Sequence, residues 1–469
     1  MCGMKKNKEC LTPFWNSSTH DVVINNICHS LGYKRCSLSV DPNYAWQDLI
    51  ISLLVLFLYI PKILVLSLRD DIRKLKIFDV NIGRSINEES IAGSKSAVFK
   101  FNIVGYKKIL RAILYYFQMK KKIHNNKIGL ILGGDEAYME MSIAAQLAEK
   151  KKIPAVFLKG GTIIKAFFYN SEYMNAFPLY ENYPDMLNQL KDKENLVKKA
   201  GDMLEDRVDG NRSSLQYMPK YDSSKEHQNL YLSAVWIFLH DFYDSPGIYG
   251  GNIFQSHCHW LEYTIKALER YDVKVVIKRH PNERPVNIQI IENYKKRYKN
   301  SVVWCEEDIS INRIKHLQCK AIFTVYGTVI TEGTYSGIPV IAAGRSPYSG
   351  FDVCYRATNI KEYREYIHQI GIGYNLKPKR KEAAINAECA NRFMDVPNFL
   401  LDIPYDDISK DLWESCGLGV YPEHNYERRK IFLKNKNILN YMENHLQNID
   451  LASKLGIKKY SHSEYWGNR

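Results

Sequence analysis

The chain has 469 residues, 45% of them hydrophobic and 25% charged, with a formal net charge of +14 and an isoelectric point near 9.0. This excludes a chain disordered throughout, and the length accommodates two domains plus extensions. The positive balance favours an anionic partner, namely a nucleic acid, a membrane surface or a nucleotide-activated or polyanionic substrate; the aromatic-basic pattern of the usual nucleic-acid modules is missing, so nucleic acid is not expected.

The first 45 residues lack the basic start, short apolar core and small-residue cleavage site of a secretory leader, so no cleavage is expected. Residues 49–68, LIISLLVLFLYIPKILVLSL, carry one charge, Lys62, beside Pro61, which should kink or end a helix. Their length suits a membrane span, but a span would place Lys62 well inside hydrocarbon, where charge is costly. With the basic-leaning RDDIRKLK (69–76) following, a helix lying in the plane of a membrane fits better. A buried helix plus strand of the first domain fits equally well. The ten cysteines form no CxxC pair or cluster, which indicates a reduced, cytoplasmic protein. His257, Cys258 and His259 are adjacent, and adjacent side chains diverge, so a structural role is expected there and no metal.

A helical pattern at 104–123 leads to a strand at 127–132, the turn Gly133-Gly134-Asp135-Glu136, an amphipathic helix at 137–152 and a strand at 153–158. That is a β-α-β unit with acids at a strand's carboxyl end. Such a turn points only one of two neighbouring acids into a site. Asp135 is the better N-cap, which leaves Glu136 as the candidate general base; an N-cap with a first-turn Glu reads equally well.

Residues 170–230 are polar and read as interdomain. A strand within 230–251 ends at His240, Asp241 and Asp244 before a Gly-rich loop, and the run VKVVIKRHPNE (273–283) ends in Lys278, Arg279, His280 and Pro281. A third apolar run, AIFTVY (321–326), passes through Gly327 and Thr328 into a helical pattern, then Gly337, Pro339 and the strand VIAAG (340–344). Strand, tight turn, helix and strand in this order predict an anion site at the helix N-terminus. Thr328 and Glu332 lie four apart with Thr331 beside them, so a phosphate on Thr328 and a ribose on Glu332 could share one face. A capping Thr and a solvated Glu explain the pair as well. Helices are expected at 361–370 and 424–447, with a loose tail from Lys458.

IKRHPNE, YGTVITEGTYSGIPVIAAG and RSPYSGFDVCYRAT, in this order, resemble the donor-binding half of GT-B glycosyltransferases, specifically bacterial capsule-polysaccharide proteins related to Kdo transferases. His240-x-Phe242-x-Asp244, the acidic turn GDEAY and, less closely, residues 78–94 are also similar to these proteins; Gly83 is followed here by Arg84 where they often carry Asp, and Glu332 by Gly333 where they often carry Ala. The resemblance implies an α/β fold of GT-B type, two Rossmann-like domains facing a cleft, with an N-terminal apolar helical segment. The expected division is an extension with a membrane-associating segment (1–76), an acceptor-side domain (77–225), a donor domain (226–420) and a C-terminal helix and tail (421–469). It also implies transfer of a sugar from a nucleotide-activated donor, a CMP-linked acidic sugar such as Kdo, to a growing capsule, other surface polysaccharide or glycolipid. The expected site comprises Glu136, Asp135 and His280 for catalysis and His240, Lys278, Gly327, Thr328, Thr331, Glu332 and Arg345 for the donor, without metal or cofactor. The expected location is the cytoplasm, at the inner face of the cytoplasmic membrane. A GT-B-fold sugar-nucleotide epimerase and a teichoic-acid-type polyol-phosphate transferase are the alternatives.

Overall fold

The computed structural model describes residues 9–12, 34–37, 46–94, 96–125, 128–133, 136–153, 155–159, 165–169, 183–188, 192–211, 229–280, 285–306 and 308–393. Asp135, Pro281 and the expected helix at 424–447 lie outside them. Up to residue 394 the chain forms two units, 1–90 with 99–178 and 91–98 with 179–394.

In the first unit, β1 (Glu9–Thr12), β2 (Lys34–Ser37) and α1 (Trp46–Leu68) precede a small antiparallel hairpin of β3 (Lys76–Ile77) and β4 (Val80–Asn81). There follow α2 (Gly83–Gly93), α3 (Ile103–Asn125), β5 (Ile128–Gly133), α4 (Met139–Lys150), β6 (Ala155–Lys159) and β7 (Lys165–Phe168). The sheet order is β2-β1-β5-β6-β7, parallel except for β6 with β7. The central β5 is buried almost throughout, which is why IGLILG reads as a continuous apolar run. Residues 1–76 are therefore not a mere extension, because β1 hydrogen-bonds directly to β5. Residues 78–94 fold as a hairpin tip, strand and helix, tied to α4 by Gln146, whose side chain exchanges 2.9 Å hydrogen bonds with both main-chain groups of Asn81.

Pro61 lies inside α1 without ending it. The helix buries one stripe, Asp48, Ser52, Val55, Ile63 and Leu66, spaced by three or four where both neighbours of the pattern are filled, and packs on α3. Only 22% of its most apolar window is buried, so it is not the core helix that its composition equally allowed.

The second unit contains α5 (Tyr183–Leu187), α6 (Lys193–Asp209), β8 (Val235–Phe238), α7 (His257–Leu268), β9 (Val275–Lys278), α8 (Asn287–Arg297) and β10 (Val303–Cys305). It continues with α9 (Ile311–His316), β11 (Ala321–Thr324), α10 (Val329–Tyr335), β12 (Val340–Ala342), β13 (Tyr355–Arg356), α11 (Ile360–Gly371) and α12 (Lys381–Phe393). All six strands are parallel, in the order β10-β9-β8-β11-β12-β13. The chain winds one way from β8 and the other way from β11, so the sheet reverses between those two strands.

Both faces of this sheet are buried, with the period of two that strands impose. Val235, Ile237, Val275, Ile277 and Phe323 join Trp260 and Tyr363 in one apolar layer, while Trp236, Val276 and Ile322 join Ile330 and Ile338 in the other. In the first layer Tyr363 accepts from Trp260 Nε1 at 2.8 Å and lies 2.9 Å from Thr264 Oγ1, whereas in the other layer the buried Trp236 Nε1 has no hydrogen-bond partner among the described residues. The segment expected as interdomain, 170–230, contains α6, which packs on α10 and α12; the unit boundary falls near 179, not 225.

Candidate functional site

A pocket with about 670 Å³ of empty space, open solvent included, sits at the carboxyl ends of β8, β9 and β11, where the strand order reverses. Parallel α/β sheets bind ligands at this place, because strand ends and helix starts open a crevice there. Leu239 and His240 follow β8, Arg279 and His280 follow β9, and Tyr326, Gly327 and Thr328 follow β11; Lys278, Glu332 and Arg207 add charged groups to the lining.

Its positive charge comes from long side chains. Lys278 is 8% exposed and lies 3.4 Å from Asp308, and Arg279 lies 3.3 Å from Glu306. His240 contributes none near neutral pH, since burial pushes its pKa down to about 4. Its ring stacks on His257 at 5.1 Å and tilts over Tyr326 at 4.4 Å, with His280 at 5.7 Å. Burial, with His240 next to it, also holds the fully enclosed His257 well below the usual histidine range. His240 can offer a hydrogen bond and a flat surface to the pocket, but not charge, and the enclosed His257 backs its ring.

Gly327 turns the chain at φ +132°, where a side chain would be strained although space is open. The helix that follows, α10, has only seven residues, so its dipole adds little and the expected anion site depends on Lys278 and Arg279 more than on a helix N-terminus. Thr328 is the N-cap residue, yet its side chain makes no capping bond, and it faces the pocket. Glu332 is not a solvated surface acid either: its side chain is 14% exposed and lies 3.3 Å from Arg207 Nε.

Arg207 is the residue that the sequence reading missed. It projects from α6, is 1% exposed, and donates to Glu388 Oε1 at 2.6 Å; Arg392 donates to the same oxygen at 2.9 Å. Burial opposes the Arg207 charge, but Glu388 and Glu332 outweigh it and hold its pKa above the ordinary value. Burial would likewise raise the Glu388 carboxyl, and Arg207 and Arg392 together hold it below its usual range. A signal was available, since Ala200, Leu204, Arg207 and Val208 form the buried face of one amphipathic helix, with an arginine where an apolar residue belongs.

Two expected donor residues do not line the pocket. Thr331 is on the fully buried side of α10, donating to Thr328 O at 2.9 Å and accepting from Arg207 Nη2 at 3.4 Å. Arg345 is 6% exposed and packs by Gly251, where an added Cβ would meet its own Cβ at 3.3 Å. In the first unit, Glu136 follows β5 and is 2% exposed, so its carboxylate is withdrawn from solvent. Helix α4 begins only at Met139, with Tyr138 as N-cap and no side-chain cap bond, so Glu136 precedes the helix and is not in its first turn. Among the described residues, no group of three His, Cys, Asp or Glu is placed to hold a metal ion.

No family model matches the chain, and no curated protein matches it. Among solved structures it is similar to the β-Kdo 2,4 transferase of Thermosulfurimonas dismutans KpsC, at 15% identity and a TM-score of 0.34 over 56% of this chain and 79% of that one. It is also similar to a Methanocaldococcus jannaschii UDP-GlcNAc 2-epimerase (13%, TM-score 0.28, 60% and 79%). A third is Acinetobacter baumannii MurG (10%, TM-score 0.23, 81% and 94%). The chain's own topology defines its class: α/β, with two Rossmann-like units and an apolar helix near the N-terminus.

Proposed function

We propose that the chain is a GT-B-type glycosyltransferase that takes a sugar from a nucleotide-activated donor held in the second unit and adds it to a growing capsule, other surface polysaccharide or glycolipid. One observation carries this reading: Lys278, Arg279, His280, Gly327, Thr328 and Glu332 meet in one pocket at the switch point of a six-stranded parallel sheet. Lys278 and Arg279 would neutralise the departing phosphate without a metal, and Glu332, fixed by Arg207, would accept from the ribose hydroxyls. A CMP-linked acidic sugar such as Kdo is the proposed donor, in keeping with the resemblance of the motifs. His280 would donate to the leaving phosphate. Glu136, or its neighbour Asp135, would take the acceptor's proton; the burial of Glu136 suits a base that works away from bulk water.

Labelled CMP-, UDP- and GDP-sugars, incubated with the protein with and without oligosaccharide acceptors, test the reading. Label moving to acceptor supports transfer, whereas an isomerised free sugar nucleotide or a transferred polyol phosphate would replace it with one of the alternatives. His280→Ala should lower turnover about 100-fold in a folded protein. Glu136→Gln should leave donor binding intact and cut transfer by a similar factor, about 100-fold, while Asp135→Asn leaves transfer largely unchanged. Full transfer in both acid variants would place the base elsewhere.

A further inference from the structure

Helix α1 has an apolar face that no described residue covers. Trp46, Leu54, Phe57, Leu58, Leu64 and Leu68 are between 52% and 89% exposed. A hydrocarbon phase is the natural environment for such a face, and a membrane span is the first arrangement to consider.

The sheet excludes it. β1 and β2 come before α1 in the chain and β5 comes after it, yet β1 is hydrogen-bonded between β2 and β5 in a single parallel sheet. One crossing would put these strands on opposite sides of the bilayer. Nor can α1 leave its neighbour, because Asp48, 5% exposed, pairs with Lys121 of α3. Helix α3 carries Lys107, Lys108, Arg111, Lys120, Lys121 and Lys122, and cannot enter hydrocarbon beside it.

A second feature borders the same face. Phe78, at the tip of the β3–β4 hairpin, is held at φ +52° and is 55% exposed. Its amide donates to Tyr59 Oη of α1 at 2.8 Å, and its ring stacks on Tyr116 of α3 at 5.6 Å. Lys120 lies over the Phe78 ring at 5.9 Å and Lys62 over the Tyr59 ring at 5.7 Å. Lys62 also donates to the Lys76 carbonyl at 3.2 Å. Apolar surface edged by aromatic rings, with lysines beside the rings, complements the boundary between acyl chains and anionic headgroups.

We propose that α1 docks in the plane of an anionic lipid bilayer, with its outer face in the acyl boundary, Phe78 as a second wedge, and Lys62 and Lys120 on the headgroups. This rests on the first unit alone and is independent of the enzymatic reading. The test is flotation of the full chain with phosphatidylcholine vesicles, with and without phosphatidylglycerol. The wild type should float with the anionic vesicles and less with the neutral ones, and an N-terminal tag should stay protease-sensitive on them. Phe57→Glu with Leu58→Glu should lose flotation at an unchanged melting temperature, since both side chains are exposed. Lys62→Gln with Lys120→Gln should weaken anionic-vesicle binding about 25-fold, roughly five-fold per cation. Flotation undiminished in the double Glu variant, a protected tag, or no flotation of the wild type on either vesicle would overturn the proposal. So would a soluble dimer that the double Glu variant converts to monomer.

Discussion

Glu332 matters to the pocket because of what stands behind it. Arg207 bridges Glu332 and Glu388, and Arg392 joins from the next turn of α12, so this pocket-lining acid is held by a buried charge network spanning α6, α10 and α12. Removing one member leaves an uncompensated buried charge, which costs about 3–5 kcal/mol. Arg207→Met should therefore lower the melting temperature and weaken nucleotide binding together, and Arg207→Lys should restore stability in part but binding less, because lysine lacks the planar fork. A variant with normal stability and normal binding would contradict the positioning role. The acid limb of stability gives a separate check. The Glu388 carboxyl titrates lower in the folded protein than in the unfolded chain, where its value is about 4.3, so its contribution is complete above that pH and is lost as pH falls through the folded value. Glu388→Gln should flatten this part of a stability-versus-pH curve. His240 acts at higher pH, since its value drops from about 6.5 unfolded to about 4 folded. The unfolded chain takes up that proton first, so stability should decline as pH falls through that window, and His240→Phe should remove this component in melts followed from neutral pH downwards. The pocket-lining residues His240, Lys278, His280 and Thr328 were legible because each stands where an apolar run ends. Arg207 was not, since it lies on a helix half of whose other residues are charged, in a stretch that reads as polar linker.

At the scale of elements, α10 shows how close packing sets a sequence choice. Gly333 faces β12, and a Cβ there would lie 2.7 Å from Val340 Cγ2 and 3.1 Å from Ile322 Cδ1. Gly333→Ala should cost about 1–3 kcal/mol through overpacking, and Val340→Ala in the same chain should recover part of that loss, as read by denaturant melts. An alanine tolerated at full stability would mean that α10 can shift away from the sheet. The runs that became β9, β11 and β12 were readable because central parallel strands are covered on both faces and carry few polar residues. Helix α1 was harder to read. Composition alone leaves a core helix, a span and an in-plane helix open, and what argues against a span is tertiary: the pairing of β1 with β5, between segments far apart in the chain, and the contact of α1 with the lysine-rich α3.

Across the whole molecule, two mainly parallel sheets with helices divide the chain, and each has a switch point: β1/β5 in the first unit, beside Glu136, and β8/β11 in the second, at the pocket. The strand order could not be read from local pattern, because which strand pairs with which depends on contacts across the chain. The central claim is that the second unit's pocket binds the nucleotide of an activated sugar. Thermal-shift titration of the wild type with CMP, UDP and GDP, repeated in Lys278→Ala and Glu332→Gln, tests it most directly, because a ligand raises the melting temperature only through binding to the folded state. At least one nucleotide should raise the wild-type transition in a dose-dependent way, with the shift reduced about ten-fold or more in apparent affinity in each folded variant. No shift with any of the three, or an undiminished shift in both variants, would contradict it.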